Sequence, residues 1–407
     1  MMNHLDKPKI GNINVQRTLY QGEPVFVIQD RFKLTEAAIV LPQVLGPLVL
    51  LCDGTNTLPE IKAALEIRYG LPLPEATIET MVAQFDQALL LEGGAFEQAR
   101  QQAVTQYRAA PFRPPALAGA SYPADPAALR RMLQDYLDRV DKVPAVSPAS
   151  RAIISPHIDY QRGGLTYAQV WASAAEAVQQ AEFVIILATD HNGAQPGALS
   201  LTCQNYASPL GVMPTDTALV ERLAQELGPE NVFAGELLHR DEWSIELVLV
   251  WLQYLRGEKP CPVLPVLCGS FFHFMMGQAS IETQPKFDIF LDILRQEMSR
   301  RRTLIVASGD LAHMGPAFDG PPLDSAAHAQ MKVDDAVLME TLGQGKADAF
   351  FELMKGGQYE RNVCGLSPFY FTLSALGQSR GQVIAYDRCP ADNRHTSFVS
   401  ICGMVLE

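Results

Sequence analysis

The sequence predicts an α/β protein: a mostly parallel or mixed central sheet with helices on both faces, preceded by a small separate domain. Three observations point there. Apolar runs such as 183–188 (FVIILA) and 303–307 (TLIVA) have the length and β-branched content of buried strands. From residue 152 onward these runs alternate with helical-period stretches, the rhythm of βαβ units. At 407 residues, the chain also exceeds what one ordinary compact core accommodates.

Composition narrows the class. Hydrophobic residues make up 48% and charged residues 19%, the balance of a soluble globular protein. A net charge of -13, with no basic stripe, argues against a nucleic-acid surface. The most apolar window, 37–52, is broken by Pro42, Gln43, Gly46 and Pro47 and is too short to span a bilayer. Residues 1–7 lack the apolar core of a signal peptide, so a cytoplasmic location is expected. The seven cysteines form no CxxC pair and read as reduced thiols.

Residues 1–100 read as the small domain. Thr57-Leu58-Pro59-Glu60 is a capping box, followed by Ile61, Ala64, Leu65 and Ile67 at helical spacing, and Tyr69-Gly70 closes that helix. A second helix is expected over 74–91, with Ile78, Met81, Phe85 and Leu89 on one face. Short apolar segments, an Asp53-Gly54 turn and two helices suggest a mainly helical, winged-helix-like domain. The stretch from Asp53-Gly54-Thr55 through Ile61 to 89–93 (LLLEG) resembles the PqqD-like peptide-binding domains. That resemblance implies a peptide partner at this domain; a packing or dimerisation domain is the equal alternative.

Residues 101–114, rich in Gln, Ala, Arg and Pro, read as a linker. The large domain, 115–407, opens on 118–124 (AGASYPA) and a helix from Asp125-Pro126 with Leu129, Met132, Leu133 and Tyr136 on its apolar side. A Pro- and Ser-rich surface loop at 143–150 precedes a strand at 152–154. Helices are expected at 163–178, 215–227 (with Asp216 and Glu221 on the wet side), 241–254 and 287–298. Further strands are expected at 263–267 and at Thr303.

Four stretches carry candidate chemistry: Pro156-His157-Ile158-Asp159-Tyr160, Thr189-Asp190-His191-Asn192-Gly193, 308–315 (SGDLAHMG) and Asn362-Val363-Cys364-Gly365. Several follow strands, and in open α/β sheets ligands bind at the edge where the strands end. A lone His157 at a strand end is more often a hydrogen-bonded structural residue. His191 follows a fully apolar strand, where a turn is needed but a histidine is not. Asp310 and His313 are read as metal ligands, an acid/base pair or orienting residues, against the alternative of a helix cap and a solvent-facing side chain. Cys364 precedes a helix, whose dipole is expected to lower its pKa, against the alternative of an inert buried thiol.

In order and context, AGASYP, PHxxY, a strand with a terminal His, WSIE on an apolar helix, SGDLAHMG, VCGLSP and Ser397-Phe398-Val399-Ser400 resemble the Memo-like proteins, called AmmeMemoRadiSam system protein B in bacteria and archaea. The resemblance covers about 115–407. It implies the fold of the class III extradiol dioxygenases and a metal, iron first, copper or zinc next, held by His157, His191 and Cys364. It also implies Asp310 and His313 in the same pocket, and radical-SAM and AMMECR-like partner proteins. Two departures stand out. Trp243 occupies the position of a family His, a role His239 is placed to take over, and Asp159 replaces a Gly, adding a carboxylate near the site.

Two imidazoles and a thiolate suit Fe(II), Zn(II) or Cu(I). Three function classes share these ligands: a non-haem redox enzyme acting on a small or peptide-borne substrate, a non-catalytic metal-binding scaffold, and a zinc hydrolase. In the first, His313 is the acid/base and Asp310 orients it. His273 reads as structural, His395 as a residue able to approach the pocket, and Cys268, Cys389 and Cys402 as core thiols.

Overall fold

The computed structural model describes all residues except 1–3, 143, 145, 194, 357 and 358, so part of the loop expected at 143–150 lies outside the described residues. The chain forms two compact units, 1–109 and 110–407.

In the first unit, strands β1 (Ile13–Tyr20), β2 (Glu23–Asp30) and β3 (Ile39–Pro42) form an antiparallel sheet. Helices Gly46–Leu51, Leu58–Tyr69, Glu75–Gln87 and Gly94–Ala109 follow. Ile28, Leu41, Leu48, Ile61, Leu65, Ile78, Val82 and Phe85 are buried together as its core. The Thr57 amide donates to Glu60 Oε2 at 2.8 Å, as a capping box requires, and Gly70 ends that helix at φ 66°. The next helix stops at Gln87, short of the expected 91, because Leu89 turns to φ 55° and the Leu90 amide returns to the Phe85 carbonyl. The sheet was not expected; β1 is exposed along nearly its whole length and lacks the alternation that announces a strand. The stretch read as a linker at 101–114 is helical to Ala109, and Arg113 is fully buried in the second unit.

The second unit is built on an eight-stranded mixed sheet. Its strands are β4 (Ala152–Ser155), β5 (Phe183–Thr189), β6 (Leu199–Leu201), and, after the small β7 (Tyr206–Ser208) and β8 (Gly211–Met213) ribbon, β9 (Val263–Cys268), β10 (Thr303–Ser308), β11 (His313–Met314), β12 (Gly381–Pro390) and β13 (Phe398–Leu406). The spatial order is β11-β13-β4-β10-β5-β9-β6, with β12 also on β13. β4, β10, β5 and β9 are parallel neighbours and buried along almost their full lengths, as strands covered on both faces must be. The others are antiparallel additions.

Two local features set the site. Ser308 stands beside both Ser155 and Ala188, and Thr189 beside Cys268, so the parallel strands finish level. Gly309, just past β10, lies against Gly365: a Cβ on Gly309 would overlap the Gly365 Cα, and one on Gly365 would enter the Phe369 ring. This glycine contact lets the Gly365 amide donate to the Asp310 carbonyl at 3.0 Å, drawing Cys364 to the strand ends.

The helix Tyr160–Ser173 starts earlier than the expected 163, because the Asp159 carboxylate caps it by accepting the Arg162 amide and also pairs with the Arg162 guanidinium at 2.6 Å. Asp159 is therefore a helix cap and not an added metal ligand. Asp216, expected on a wet face, likewise caps Thr217–Leu227 and pairs with Arg301.

The apolar helix Trp243–Arg256 is anchored by a buried ion pair between Arg113 and Glu246. Glu246 also accepts from the Ala116 and Leu117 amides and the Tyr122 hydroxyl. Arg113 donates onward to the His239 carbonyl at 2.9 Å and the Glu242 carbonyl at 2.8 Å. Breaking one partner of such a pair strands a charge in a dry interior, so Glu246→Leu should cost about 3–5 kcal/mol in denaturant unfolding. A loss below about 1 kcal/mol would mean that the pair is not anchoring this helix.

Candidate metal centre

At the level strand ends, His157 follows β4, His191 follows β5, and Asp310 and His313 follow β10. Cys364 arrives from the loop before the helix Leu366–Leu376. One donor atom each from His157, His191 and Cys364 lies within 4.8 Å of the others, and Asp310, His313 and Cys364 make an overlapping group within the same limit. All five expected site residues thus meet in one pocket.

Hydrogen bonds fix which nitrogen each imidazole offers. His191 Nδ1 lies 2.9 Å from Glu242 Oε1, a carboxylate that can only accept when ionised, so Nδ1 carries the proton and Nε2 is left for a ligand. Glu242 also accepts the His191 amide and, as cap of its own helix, the Ser244 amide. His157 Nδ1 lies 3.4 Å from Ser308 Oγ, whose proton goes to the Ser244 carbonyl, so His157 likewise turns Nε2 inward, 3.2 Å from Cys364 Sγ. The Asp310 amide donates to Cys364 Sγ at 3.2 Å, and Thr189 Oγ1 donates to the Cys364 carbonyl at 2.9 Å. Two imidazole Nε2 atoms and one sulfur, each braced from behind, fit a divalent or redox metal with borderline-soft preference.

The group is buried at His157 and Asp310, half-buried at Cys364 and His313, and open at His191. Burial pushes the Cys364 thiol well above its ordinary range, with Asp310 adding to the effect. The lowering expected from the helix dipole is overridden, because desolvation of a thiolate outweighs a dipole at a site two positions before the helix begins at Leu366. Burial likewise lowers His157, and neighbouring His191 lowers it further. For His191, burial disfavours the charged ring, but Glu242 outweighs it and the pKa rises. Burial raises Asp310, and burial beside Glu242 takes Asp190 up to about 6.

Several expectations change. Asp310 does not orient the His313 ring: its carboxylate accepts the His157 amide at 2.9 Å, and His313 Nδ1 donates instead to the Leu311 carbonyl at 3.2 Å. No helix follows Asp310; β11 does, with His313 opposite Val399. His239 cannot replace a missing ligand, because it is fully buried, donates Nε2–H to the Ser200 carbonyl and accepts at Nδ1 from the Tyr206 hydroxyl. His273 and His395 are outside both ligand groups, with His395 exposed in a turn at φ 54°. Cys268, Cys389 and Cys402 are buried thiols.

One participant, Glu242, was missed, and another, Trp243, was read only as the loss of a family His. Glu242 is buried behind His191, and the available signal was a carboxylate capping an otherwise apolar helix. Trp243 stacks on His191 with ring centroids 4.2 Å apart at 18°. Its indole covers a face of the His191 ring and offers no donor atom of its own to a metal.

Comparison with known proteins bears on the family. The profile of the family described as "Memo-like protein" matches residues 113–405. A MEMO1 family protein of Methanopyrus kandleri is 27% identical over 287 residues, covering 67% of this chain and 91% of its own. A MEMO1 family protein of Aquifex aeolicus is 24% identical over 406 residues, covering 98% of this chain and 100% of its own, so its similarity includes the first unit. The protein memo-1 homolog of Caenorhabditis elegans is 28% identical over 273 residues, covering 65% of this chain and 71% of its own. With the family's pattern spanning nearly the whole second unit, the chain belongs to the Memo-like protein family.

Proposed function

We propose that this protein is a metal-dependent redox enzyme, of the AmmeMemoRadiSam system protein B type and with a pocket like that of the class III extradiol dioxygenases. His157, His191 and Cys364 hold iron, or copper in its place, and the substrate is small or peptide-borne. The observation that carries this reading is the convergence of two histidines, with Nδ1 held by Glu242 in one and by Ser308 in the other, on one cysteine sulfur at the strand ends. A structural histidine such as His239 instead has both ring nitrogens engaged by neighbouring groups of the fold. Bound here, iron would supply one-electron chemistry that none of these side chains possesses.

The protein's own residues have separate tasks. Glu242 fixes the tautomer of His191 and, with Trp243 stacked on the ring, its orientation. The Asp310 carboxylate fixes the backbone of His157, and the Asp310 amide supports the sulfur. His313, its Nδ1 proton engaged by the Leu311 carbonyl, is the group that moves a proton to or from a substrate. Replacing the carboxylate of a two-His-one-carboxylate site by a softer thiolate changes metal preference and redox behaviour, so ring cleavage does not follow from the fold.

Elemental analysis of full-length protein purified without oxygen should find about one equivalent of iron or copper, lost in both His157→Ala and Cys364→Ala. Zinc in the same ratio would transfer the argument to a hydrolase. Wild-type metal content in Cys364→Ala would show the ligand assignment to be wrong.

Because Glu242 acts through His191, Glu242→Gln should weaken metal affinity by about 10- to 100-fold while leaving the stoichiometry intact. Competition with a chromophoric chelator measures this; an unchanged affinity would reduce Glu242 to a helix cap.

A further inference from the structure

The helix Ser325–Gly343 turns one face to the interior, and that face is not wholly apolar. Met331, Leu338, Met339 and Leu342 are buried there, and Asp335 among them is fully buried too. Its carboxylate has two side-chain partners from distant parts of the chain. Asp335 Oδ1 pairs with the buried guanidinium of Arg361, and Oδ2 accepts the Tyr386 hydroxyl of β12 at 2.7 Å. Burial first, and Asp335 next, push the Tyr386 hydroxyl above its ordinary range, so it stays protonated and donates.

An apolar side chain at position 335 would complete this face with no charge to desolvate. Apolar residues of similar volume often replace a buried ion pair at no loss of stability, so stability alone does not account for one here. The pair does fix a place. Arg361 ends the turn Tyr359–Arg361, three positions before Cys364. Asn362 follows at φ 48°, a left-handed conformation that asparagine tolerates, and its Nδ2 donates to the His313 carbonyl at 3.4 Å. Val363 is buried, and beyond Cys364 the Gly365 amide is held by the Asp310 carbonyl. The stretch 361–365 is therefore held at both ends, with the sulfur between them.

We propose that Asp335, Arg361 and Tyr386 are positioning residues for Cys364. They fix the upstream end of its loop and so place the sulfur against the two imidazoles. Their part in metal binding rests on the metal-site reading above; their hold on the loop does not.

Asp335→Leu combined with Arg361→Met removes both charges at similar volume, so the fold should survive while the upstream hold is lost. Two measurements on full-length protein follow the consequence. The first is alkylation of metal-free protein by iodoacetamide, read at each cysteine by mass spectrometry, with the fully buried Cys268 at the end of β9 as the internal reference. Cys364 in the double variant should react about tenfold faster than in wild type, with Cys268 unchanged. An equal rise at both thiols would report general opening and count against the proposal. The second is titration with cobalt(II), whose thiolate complexes show a charge-transfer band in the near ultraviolet. The double variant should bind cobalt about 10- to 100-fold more weakly, with that band diminished. Tyr386→Phe leaves the ion pair intact and should move both readouts the same way by about two- to threefold; it decides the question where the double variant does not fold. Alkylation and cobalt affinity both unchanged in a folded variant would overturn the proposal, as would a freed thiol with cobalt affinity intact. A wild-type protein that binds cobalt without the thiolate band, with Cys364 still released in the double variant, would remove the ligand assignment and leave the positioning of Cys364 standing.

Discussion

The buried guanidinium of Arg113 determines more of this protein than any residue that touches the pocket. It pairs with Glu246 and holds the carbonyls of His239 and Glu242, pinning the turn that leads into the helix Trp243–Arg256. That turn presents the Glu242 carboxylate to both the amide and the ring of His191. A charge this deep is tolerated only if it is paired and its other donors are satisfied. Satisfying it fixes the backbone that brackets His191.

A second constraint is the level finish of the parallel strands. Because β4, β10, β5 and β9 end in register, residues a few positions beyond each strand meet at one edge. The hydroxyls of Thr189, Ser244 and Ser308 cross-link those ends through neighbouring carbonyls at 2.6–2.9 Å. Such bonds satisfy backbone acceptors that would otherwise be stranded where the sheet stops. The Gly309–Gly365 contact then admits the cysteine loop. Loose packing at any of these points would separate donor atoms that must remain a few ångströms apart.

Much of this was legible in the sequence. The parallel strands are nearly continuous apolar runs, and several end in polar residues that a turn alone does not need, which is why His157, His191, Asp310 and His313 were readable at one sheet edge; Cys364, in the loop before a helix, joined them through the resemblance. What the sequence hid was mostly long-range. Arg113 looked like part of a linker because its partner lies 133 residues away. Glu242 was hidden because a carboxylate that only caps a helix and one that also holds a histidine ring look the same until the opposite loop is in place. The role of Asp310 could not be read from its spacing to His313, since its carboxylate bonds to a residue 153 positions earlier. The first sheet escaped because β1 buries almost nothing.

The central claim is that a cysteine sulfur and two imidazole nitrogens hold one metal ion. X-ray absorption at the zinc edge of zinc-loaded, full-length protein tests it most directly, because sulfur and nitrogen scatterers are resolved by distance and zinc brings no redox ambiguity. The account predicts one sulfur at about 2.3 Å with nitrogen or oxygen ligands at about 2.0–2.1 Å, and loss of the sulfur shell in Cys364→Ala. A wild-type spectrum with nitrogen and oxygen ligands alone would contradict it.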